Sequence, residues 1–224
     1  MDILIFSLGG SVIVPDRIDY AFLKKFKKLI LKLARKKKIV ICTGGGKTAR
    51  NYINALGKAE VSNLNKDITG IAATRLNAVL VSSFLINNAV IPTTLVGVKE
   101  MLRKRKIVIC GGLKPGITTD GTTAAIARYL NAKFFINITT VKGLYNKDPK
   151  KYKGAKLIKE INYAKFALLM AKVKEKPGQH FILDSLAAKV IGKSNIRVII
   201  LGKDLRNLEN CLLGKRFVGT TISL

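Results

Sequence analysis

The sequence predicts an α/β fold in which a mainly parallel sheet is covered by helices on both faces. Two observations support this prediction. Apolar, strand-like runs alternate with helical patterns along the chain, and a glycine-rich turn directly follows three of these runs. A length of 224 residues with 48% hydrophobic side chains suits one large domain or two closely packed lobes. No low-complexity linker interrupts the chain, so we predict a single domain over residues 1–224.

The predicted elements follow one another in a regular order. Strands are expected near residues 2–7, 38–43, 106–110, 133–138 and 196–201, and helices near residues 20–35, 47–57, 66–88, 120–131 and 184–194. The first helix has the clearest pattern, because apolar residues such as Phe22, Phe26 and Leu33 recur at helical spacing while lysines fill positions between them. This pattern is typical of an amphipathic helix with one solvated face.

The glycine-rich turns lie at residues 8–11, 43–50 and 111–120. Each turn leads from a predicted strand towards a helical pattern, so backbone N–H groups and helix N-termini point to one edge of the sheet. Cationic and hydroxyl side chains add to these turns, namely Lys47, Arg50, Thr118 and Thr119. The three turns together predict a phosphate-binding edge.

Two common nucleotide-binding motifs are excluded. Residues 46–48 resemble the end of a P-loop, but Ile41 occupies the position where that motif requires its first glycine. The dinucleotide fingerprint is absent too, because no third spaced glycine follows the turn at residues 43–50. The single histidine, His180, lies in a predicted loop, and no catalytic triad is recognisable. Phosphoryl transfer between phosphates suits this chain, since it needs positioning and charge neutralisation rather than a general base.

The net charge is extreme, because 41 lysines and arginines stand against 13 acidic residues, a formal balance of +28. A surface of this charge attracts polyanions without specificity. The chain has no tryptophan and no recognisable nucleic-acid motif, and the lysines of the first helix occupy its solvated face. No specific nucleic-acid partner is therefore expected.

The N-terminal residues, the longest apolar stretch and the cysteines together predict a cytoplasmic protein. The first residues resemble neither a signal peptide nor a targeting sequence, and the apolar stretch at residues 79–98 is interrupted by two asparagines and a proline. We therefore predict no membrane span. The cysteines are far apart in the chain and are predicted to be buried free thiols; they are Cys42, Cys110 and Cys211.

The motifs as a set resemble a known family. They comprise residues 9–11, 44–50, Asp67 with residues 70–71 and 74–78, residues 111–120, Asp148-Pro149, Asp184 with residues 186–189, and residues 219–222. In order and spacing, this set closely resembles archaeal-type uridylate (UMP) kinases of the amino acid kinase superfamily over nearly the whole chain. The resemblance implies an αβα sandwich with the amino acid kinase fold, ATP and Mg²⁺ as cofactors, UMP as the substrate, and a homohexamer.

The resemblance also implies roles for individual residues. The residues expected to bind ATP are Gly9, Gly10, Ser11, Gly46, Arg50, Thr139, Tyr145 and Asp148. The residues expected to bind UMP are Gly45, Asp67, Leu113, Lys114, Pro115, Gly116, Ile117, Thr118 and Thr119. The residues expected to be catalytic are Lys47, Arg50, Asp184 and Lys189. UMP is thereby assigned mainly to the N-terminal part, and ATP mainly to residues from about 133 to 224.

Three positions depart from the family pattern. Ser7 stands near the point where the superfamily often has a catalytic lysine, Lys142 stands where aspartate is usual, and Ser185 stands where proline is usual. The cation that neutralises the transferred phosphoryl group is therefore expected to be Lys47 or Lys189.

The predicted function is transfer of the γ-phosphoryl group of ATP to UMP, giving ADP and UDP in pyrimidine nucleotide biosynthesis. A related small-molecule phosphate kinase, such as isopentenyl phosphate kinase, would keep the ATP loops but replace Asp67 and residues 118–119. A basic nucleic-acid-binding protein is the other alternative. Asp67 also has a structural interpretation as a helix N-cap, and Asp148-Pro149 has one as a simple turn.

Overall fold

The computed structural model describes residues 3–149, 151–171, 187, 190–192 and 195–224. The predicted catalytic residues Asp184 and Lys189, together with His180 and Ser185, lie outside the described residues. The helix predicted near residues 184–194 also lies outside them, apart from residue 187 and residues 190–192, which are helical.

In the described part of the chain, seven strands form one sheet in the order β3-β2-β1-β4-β6-β7-β5. They are β1 Ile3–Leu8, β2 Lys38–Thr43, β3 Ile107–Cys110, β4 Phe134–Thr139, β5 Glu160–Asn162, β6 Arg197–Gly202 and β7 Thr220–Ser223. Every neighbouring pair is parallel except β6 and β7. The prediction of a mainly parallel sheet is confirmed, and the predicted strands lie within one residue of their observed positions. Prediction missed β5 and β7, which have three and four residues and contain polar side chains at most positions.

The described helices flank this sheet. They are α1 Gly10–Ile13, α2 Tyr20–Ala34, α3 Gly46–Lys58, α4 Asn63–Ile86, α5 Leu95–Lys104, α6 Thr119–Tyr129, α7 Tyr163–Ala171 and α8 Leu205–Leu212. The helix predicted at residues 66–88 in fact begins at Asn63, because the Ser62 hydroxyl accepts a hydrogen bond from the Asn65 N–H at 3.3 Å. It ends at Ile86 because Asn87 adopts a left-handed conformation with φ of 50°.

Hydrophobic side chains are buried on both faces of the sheet. On one face, Phe6 of β1 belongs to a cluster with Phe26 of α2 and Val81 of α4. On the other face, Ile5 of β1 belongs to a cluster with Val98 of α5. Successive residues of a strand point to opposite faces, so one strand contributes to both clusters. The fold is therefore a three-layer αβα sandwich, as predicted.

The cysteines are free thiols, as predicted, but they differ in burial. Cys42 and Cys110 are buried and face each other on neighbouring strands. Cys211 on α8 is half-buried, and burial raises the pKa of its thiol to about 11. The prediction that all three are buried is therefore correct for the two strand cysteines and only partly correct for Cys211.

Candidate active site

The glycine-rich turns meet at the carboxyl edge of the parallel strands. The turn after β1 lies between its neighbours, because the Gly9 N–H donates to the Ile138 carbonyl of β4 at 2.9 Å and the Gly44 N–H donates to the Leu8 carbonyl at 2.9 Å. The turn after β3 follows next to β2 in the sheet order. The carboxyl ends of parallel strands are where ligands bind in open α/β sheets.

The turns after β1 and β2 are in direct backbone contact. A Cβ atom on Gly10 would overlap the backbone nitrogen of Gly46, and a Cβ atom on Gly46 would overlap the Gly10 carbonyl oxygen. Gly46 also has φ of +62°, a backbone conformation that residues other than glycine rarely adopt. The Lys47 N–H donates to the Val14 carbonyl at 3.1 Å and links the start of α3 to the end of α1. The two turns and the N-terminus of α3 are thereby held together at the carboxyl edge, and a helix N-terminus favours an anion.

The Arg50 guanidinium lies at the turn after β1. The residue lies one turn into α3, and its Nη1 donates to the Ser11 hydroxyl at 3.2 Å. Partial burial lowers the pKa of Arg50 below its ordinary value. An arginine remains cationic at neutral pH despite such a shift, so a positive charge is held at the turn after β1.

Lys47 reaches the same region from the first turn of α3. Its Nζ lies 3.9 Å from Asp16, whose side chain is 89% exposed. Such an exposed pair contributes little to stability and exchanges readily with solvent ions. The structure thus places the Lys47 backbone at the end of α1 and its Nζ towards Asp16, whereas the role of Lys47 in catalysis stays a prediction.

The middle of α4 supports the turns after β2 and β3. The Thr74 hydroxyl accepts from the Gly112 N–H at 2.7 Å, and the Arg75 Nε donates to the Gly112 carbonyl at 3.1 Å. Asn77 is buried and donates from Nδ2 to the Gly44 carbonyl at 2.7 Å. These residues had no individual role in the sequence prediction, although residues 74–78 were part of the motif set. Their contacts show that they position the loops.

Asp67 faces the loop that follows β3. Its Oδ2 accepts a hydrogen bond from the Gly116 N–H at 3.0 Å. The interpretation of Asp67 as a helix N-cap is wrong, because Ser62 caps α4 and Asp67 is the fifth residue of that helix. The N-terminal half of α4 is therefore in direct contact with the 113–118 loop at the carboxyl edge.

Thr118 closes the same loop by capping α6. Its hydroxyl accepts from the Gly121 N–H at 3.1 Å, so the N-terminus of α6 is directed at the loop. Thr119 is the first residue of α6 rather than a loop residue. The positive end of the α6 dipole adds to the attraction of this loop for a phosphate.

Asp120 lies in the first turn of α6 at the same edge, and the sequence prediction gave it no individual role. Its Oδ1 accepts from the Ser7 hydroxyl at 2.6 Å and from Asn137 Nδ2 at 3.1 Å, and both partners are buried. Ser7, the departure from the family pattern, therefore holds a carboxylate between β1 and β4. One feature of the sequence could have indicated a role for Asp120. It is an acidic residue in the first turn of α6, directly after residues 118–119.

The residues predicted to enclose the adenine nucleotide lie beyond β4. Thr139 ends that strand, and Tyr145 forms an isolated bridge with Leu157. The Asp148 carbonyl accepts from the N–H groups of Lys151 and Tyr152 at 3.1 and 2.9 Å. These bonds agree with the interpretation of residues 148–149 as a turn, and the role of Asp148 towards ATP stays a prediction.

The geometry defines an αβα sandwich in which glycine-rich turns meet at the carboxyl edge of a mainly parallel sheet. The family model described as "Amino acid kinase family" matches residues 2–202. The chain therefore belongs to the amino acid kinase family.

Named relatives are similar to this chain over almost its full length. A uridylate kinase of Thermoplasma volcanium is 39% identical over 220 residues, covering 98% of this chain and 96% of the relative. A uridylate kinase of Pyrococcus abyssi is 36% identical over 222 residues, covering 98% of each chain. The crystal structure of uridylate kinase from Archaeoglobus fulgidus superposes with a TM-score of 0.87 at 32% identity, covering 100% of both chains. The resemblance predicted from the motifs is confirmed.

Proposed function

We propose that this protein is a uridylate kinase that transfers the γ-phosphoryl group of ATP to UMP, giving ADP and UDP. The observation that carries the proposal is the pairing of Asp67 with the 113–118 loop, directly beside the two interlocked turns after β1 and β2. An ionised carboxylate is suited to accept hydrogen bonds from ribose hydroxyls. The loop and the N-terminus of α6 suit the phosphate of the same nucleotide.

The transfer itself requires little covalent chemistry from the protein. The phosphate of UMP is ionised at neutral pH and needs no general base, so rate enhancement comes from alignment and charge stabilisation. Arg50 and the turns after β1 and β2 are placed to stabilise charge on the donor phosphates. Lys47 and Lys189 are the further cations proposed for the transferred group. The proposed division is UMP on the N-terminal part and ATP mainly on residues 133–224.

Magnesium is proposed as the counter-ion of ATP. Within the described part of the chain, no group of three His, Cys, Asp or Glu residues could hold a metal. Mg²⁺ is usually held by one or two carboxylates plus substrate phosphates, and Asp120 supplies one carboxylate at this edge. The donor set fits Mg²⁺ bound mainly through phosphate oxygens, where it neutralises their charge.

The competing proposal is a kinase that acts on a small phosphate ester such as isopentenyl phosphate. Such a substrate has no ribose, so it gives no reason for a carboxylate that faces the acceptor loop. Asp67 and residues 118–119 are all retained here. We expect coupled measurements of ADP release to show turnover with UMP that exceeds turnover with CMP, dUMP and isopentenyl phosphate. Preferred turnover of isopentenyl phosphate would contradict the proposal.

Replacing Asp67 with asparagine is expected to raise the KM for UMP more than the KM for ATP. The reason is that a ribose contact acts mainly in ground-state binding, while the ATP turns lie elsewhere. Steady-state kinetics with each substrate varied in turn measures the effect. Ser62→Ala is the matched control, because it removes the actual cap of α4 and should lower stability by about 1 kcal/mol without a selective change in KM. Equal changes in both KM values for Asp67→Asn would contradict the assignment.

We also propose a cytoplasmic homo-oligomer, a hexamer by the family resemblance. By length and composition alone, α4 could cross a membrane, and 33% of its apolar window is buried, so most of this window remains for contact with another molecule. Apolar side chains at least half exposed on α3 and α4 are Tyr52, Leu64, Ile68 and Leu76. Contact with further copies would remove this surface from water. The molar mass from light scattering tests the assembly.

A further inference from the structure

The amino edge of the sheet, opposite the nucleotide turns, is strongly basic. Four segments lie where a helix leads into a parallel strand or where a strand begins: residues 35–38, 103–106, 128–133 and 195–197. We call these segments the amino-edge band. Its 17 residues include eleven lysines and arginines and no aspartate or glutamate. Nine of the eleven cationic residues are exposed.

The sheet order makes these segments neighbours in space. They precede β2, β3, β4 and β6, which occupy consecutive positions together with β1. The register aligns their starts, since Ile3 pairs with Lys38 and Phe134 pairs with Arg197. Strands lie about 4.8 Å apart, so five strands place the band across about 19 Å. This width suits an extended polyanion better than a single phosphate.

Helix C-termini and a nearby glutamate balance only part of the positive charge of the amino-edge band. The helices α2, α5 and α6 end at this edge, and each C-terminus carries about half a negative charge. Two lysines hydrogen-bond to carbonyl groups near these C-termini. Lys38 Nζ donates to the Leu102 carbonyl at 2.7 Å, and Lys106 Nζ donates to the Arg35 carbonyl at 3.1 Å. Glu100 pairs with Arg103 at 2.7 Å, but both are exposed and the pair is weak. A large positive surplus remains.

A cavity of about 1020 Å³ opens at one end of the amino-edge band. Arg128, Lys133 and Arg197 line it, together with the amides of Asn131 and Asn195 and the ring of Tyr163. Burial raises the pKa of Tyr163, so the ring stays neutral at physiological pH. Guanidinium groups bind phosphates, amides bond to base edges, and an aromatic ring stacks on a base. This combination is suited to a nucleotide of a single strand.

We propose that the amino-edge band binds single-stranded nucleic acid without sequence preference, with phosphates along the band and one base in the cavity. An anionic membrane fits less well, because the exposed large apolar side chain in these segments is Tyr129 alone, at 38% exposure. The nucleotide turns lie at the opposite edge of the sheet. Binding of the strand and phosphoryl transfer are therefore independent.

The test compares two triple variants that each remove three positive charges. The edge variant carries Arg105→Gln, Lys133→Gln and Arg197→Gln, while the control carries Lys24→Gln, Lys25→Gln and Lys28→Gln on the exposed face of α2. Fluorescence anisotropy follows a labelled oligocytidylate RNA of about 20 nucleotides, and its DNA counterpart, between about 50 and 200 mM salt. Vesicles rich in anionic lipid are titrated in parallel. Saturating ATP and UMP are added in a further series.

We expect the edge variant to bind the oligonucleotide about tenfold or more weakly than the parent. A plot of the logarithm of the association constant against the logarithm of the salt concentration should also be less steep, its negative slope smaller in magnitude by about 2. The control should lose much less affinity, and kinase turnover of both variants should match that of the parent. Equal binding of RNA and DNA indicates phosphodiester recognition alone, whereas tighter RNA binding indicates contact with the 2′-hydroxyl. Equal losses in both variants, displacement by ATP and UMP, absence of binding by the parent protein, or binding of vesicles alone would each overturn the proposal.

A measurement on the unaltered protein tests the proposal even if the edge variant does not fold. Lysine acetylation followed by mass spectrometry is carried out with and without the RNA. Lys104, Lys106 and Lys133 should be protected by the RNA, while Lys24, Lys25 and Lys28 should not. Uniform protection of both sets would contradict a defined site.

Discussion

Replacing Arg50 with alanine is expected to lower turnover by about two orders of magnitude or more while the fold stays intact. The guanidinium lies beside Ser11 at the turn after β1, where the donor phosphates are proposed to bind. A cation held in place before the reaction stabilises charge that develops in the transition state without the cost of reorganisation. The side chain is only partly buried, so its removal leaves no large cavity.

Steady-state kinetics and circular dichroism test this expectation together. Lys58→Ala is the matched control, because Lys58 is an exposed cation at the other end of α3. Lys58→Ala should leave turnover unchanged. The comparison then separates the loss of one positive charge anywhere on α3 from the loss of the charge at the turn after β1. Near-normal turnover of Arg50→Ala with an unchanged spectrum would refute the assigned role.

Replacing Gly10 with alanine is expected to abolish phosphoryl transfer and to destabilise the protein. A Cβ atom at this position would overlap Gly46 N and would lie 2.6 Å from Gly44 C and 2.7 Å from Gly45 C. These are backbone atoms that cannot rotate away, so the two turns must separate. Overpacking of this kind costs about 1–3 kcal/mol. Separation of the turns also moves Arg50 away from Ser11, where the donor phosphates are proposed to bind.

Gly57→Ala provides the matched control for this substitution. Gly57 lies in α3, and a Cβ atom there would contact nothing within 4 Å. The change should stabilise the protein by about 0.5–1 kcal/mol, because alanine loses less backbone entropy in a helix than glycine. Urea unfolding measures both variants, and a coupled assay measures turnover. Normal turnover and stability of Gly10→Ala would show that the two turns are not in the contact described.

Local patterns in the sequence were sufficient to predict most of the architecture. The alternation of apolar runs with helical patterns predicted the mainly parallel sheet, and β2 lies at the predicted residues 38–43. Periodicity succeeds there because a buried strand or an amphipathic helix repeats its chemistry every few residues. It failed for β5, which has only three residues, and for the start of α4, where Ser62 caps the helix so that it begins three residues before the predicted start.

The sequence by itself determined the strand–turn–helix units and the glycines that make three turns able to approach phosphates. Tertiary structure alone decided which distant residues meet. Ser7 and Asp120 are 113 residues apart, and Asp67 and Gly116 are 49 residues apart, so no local pattern connects them. The sheet order brings each pair together, and it also aligns basic segments from four parts of the chain into one band. The physical reason is that side-chain periodicity records only neighbours along the chain, whereas strand order is set by packing of the complete sheet.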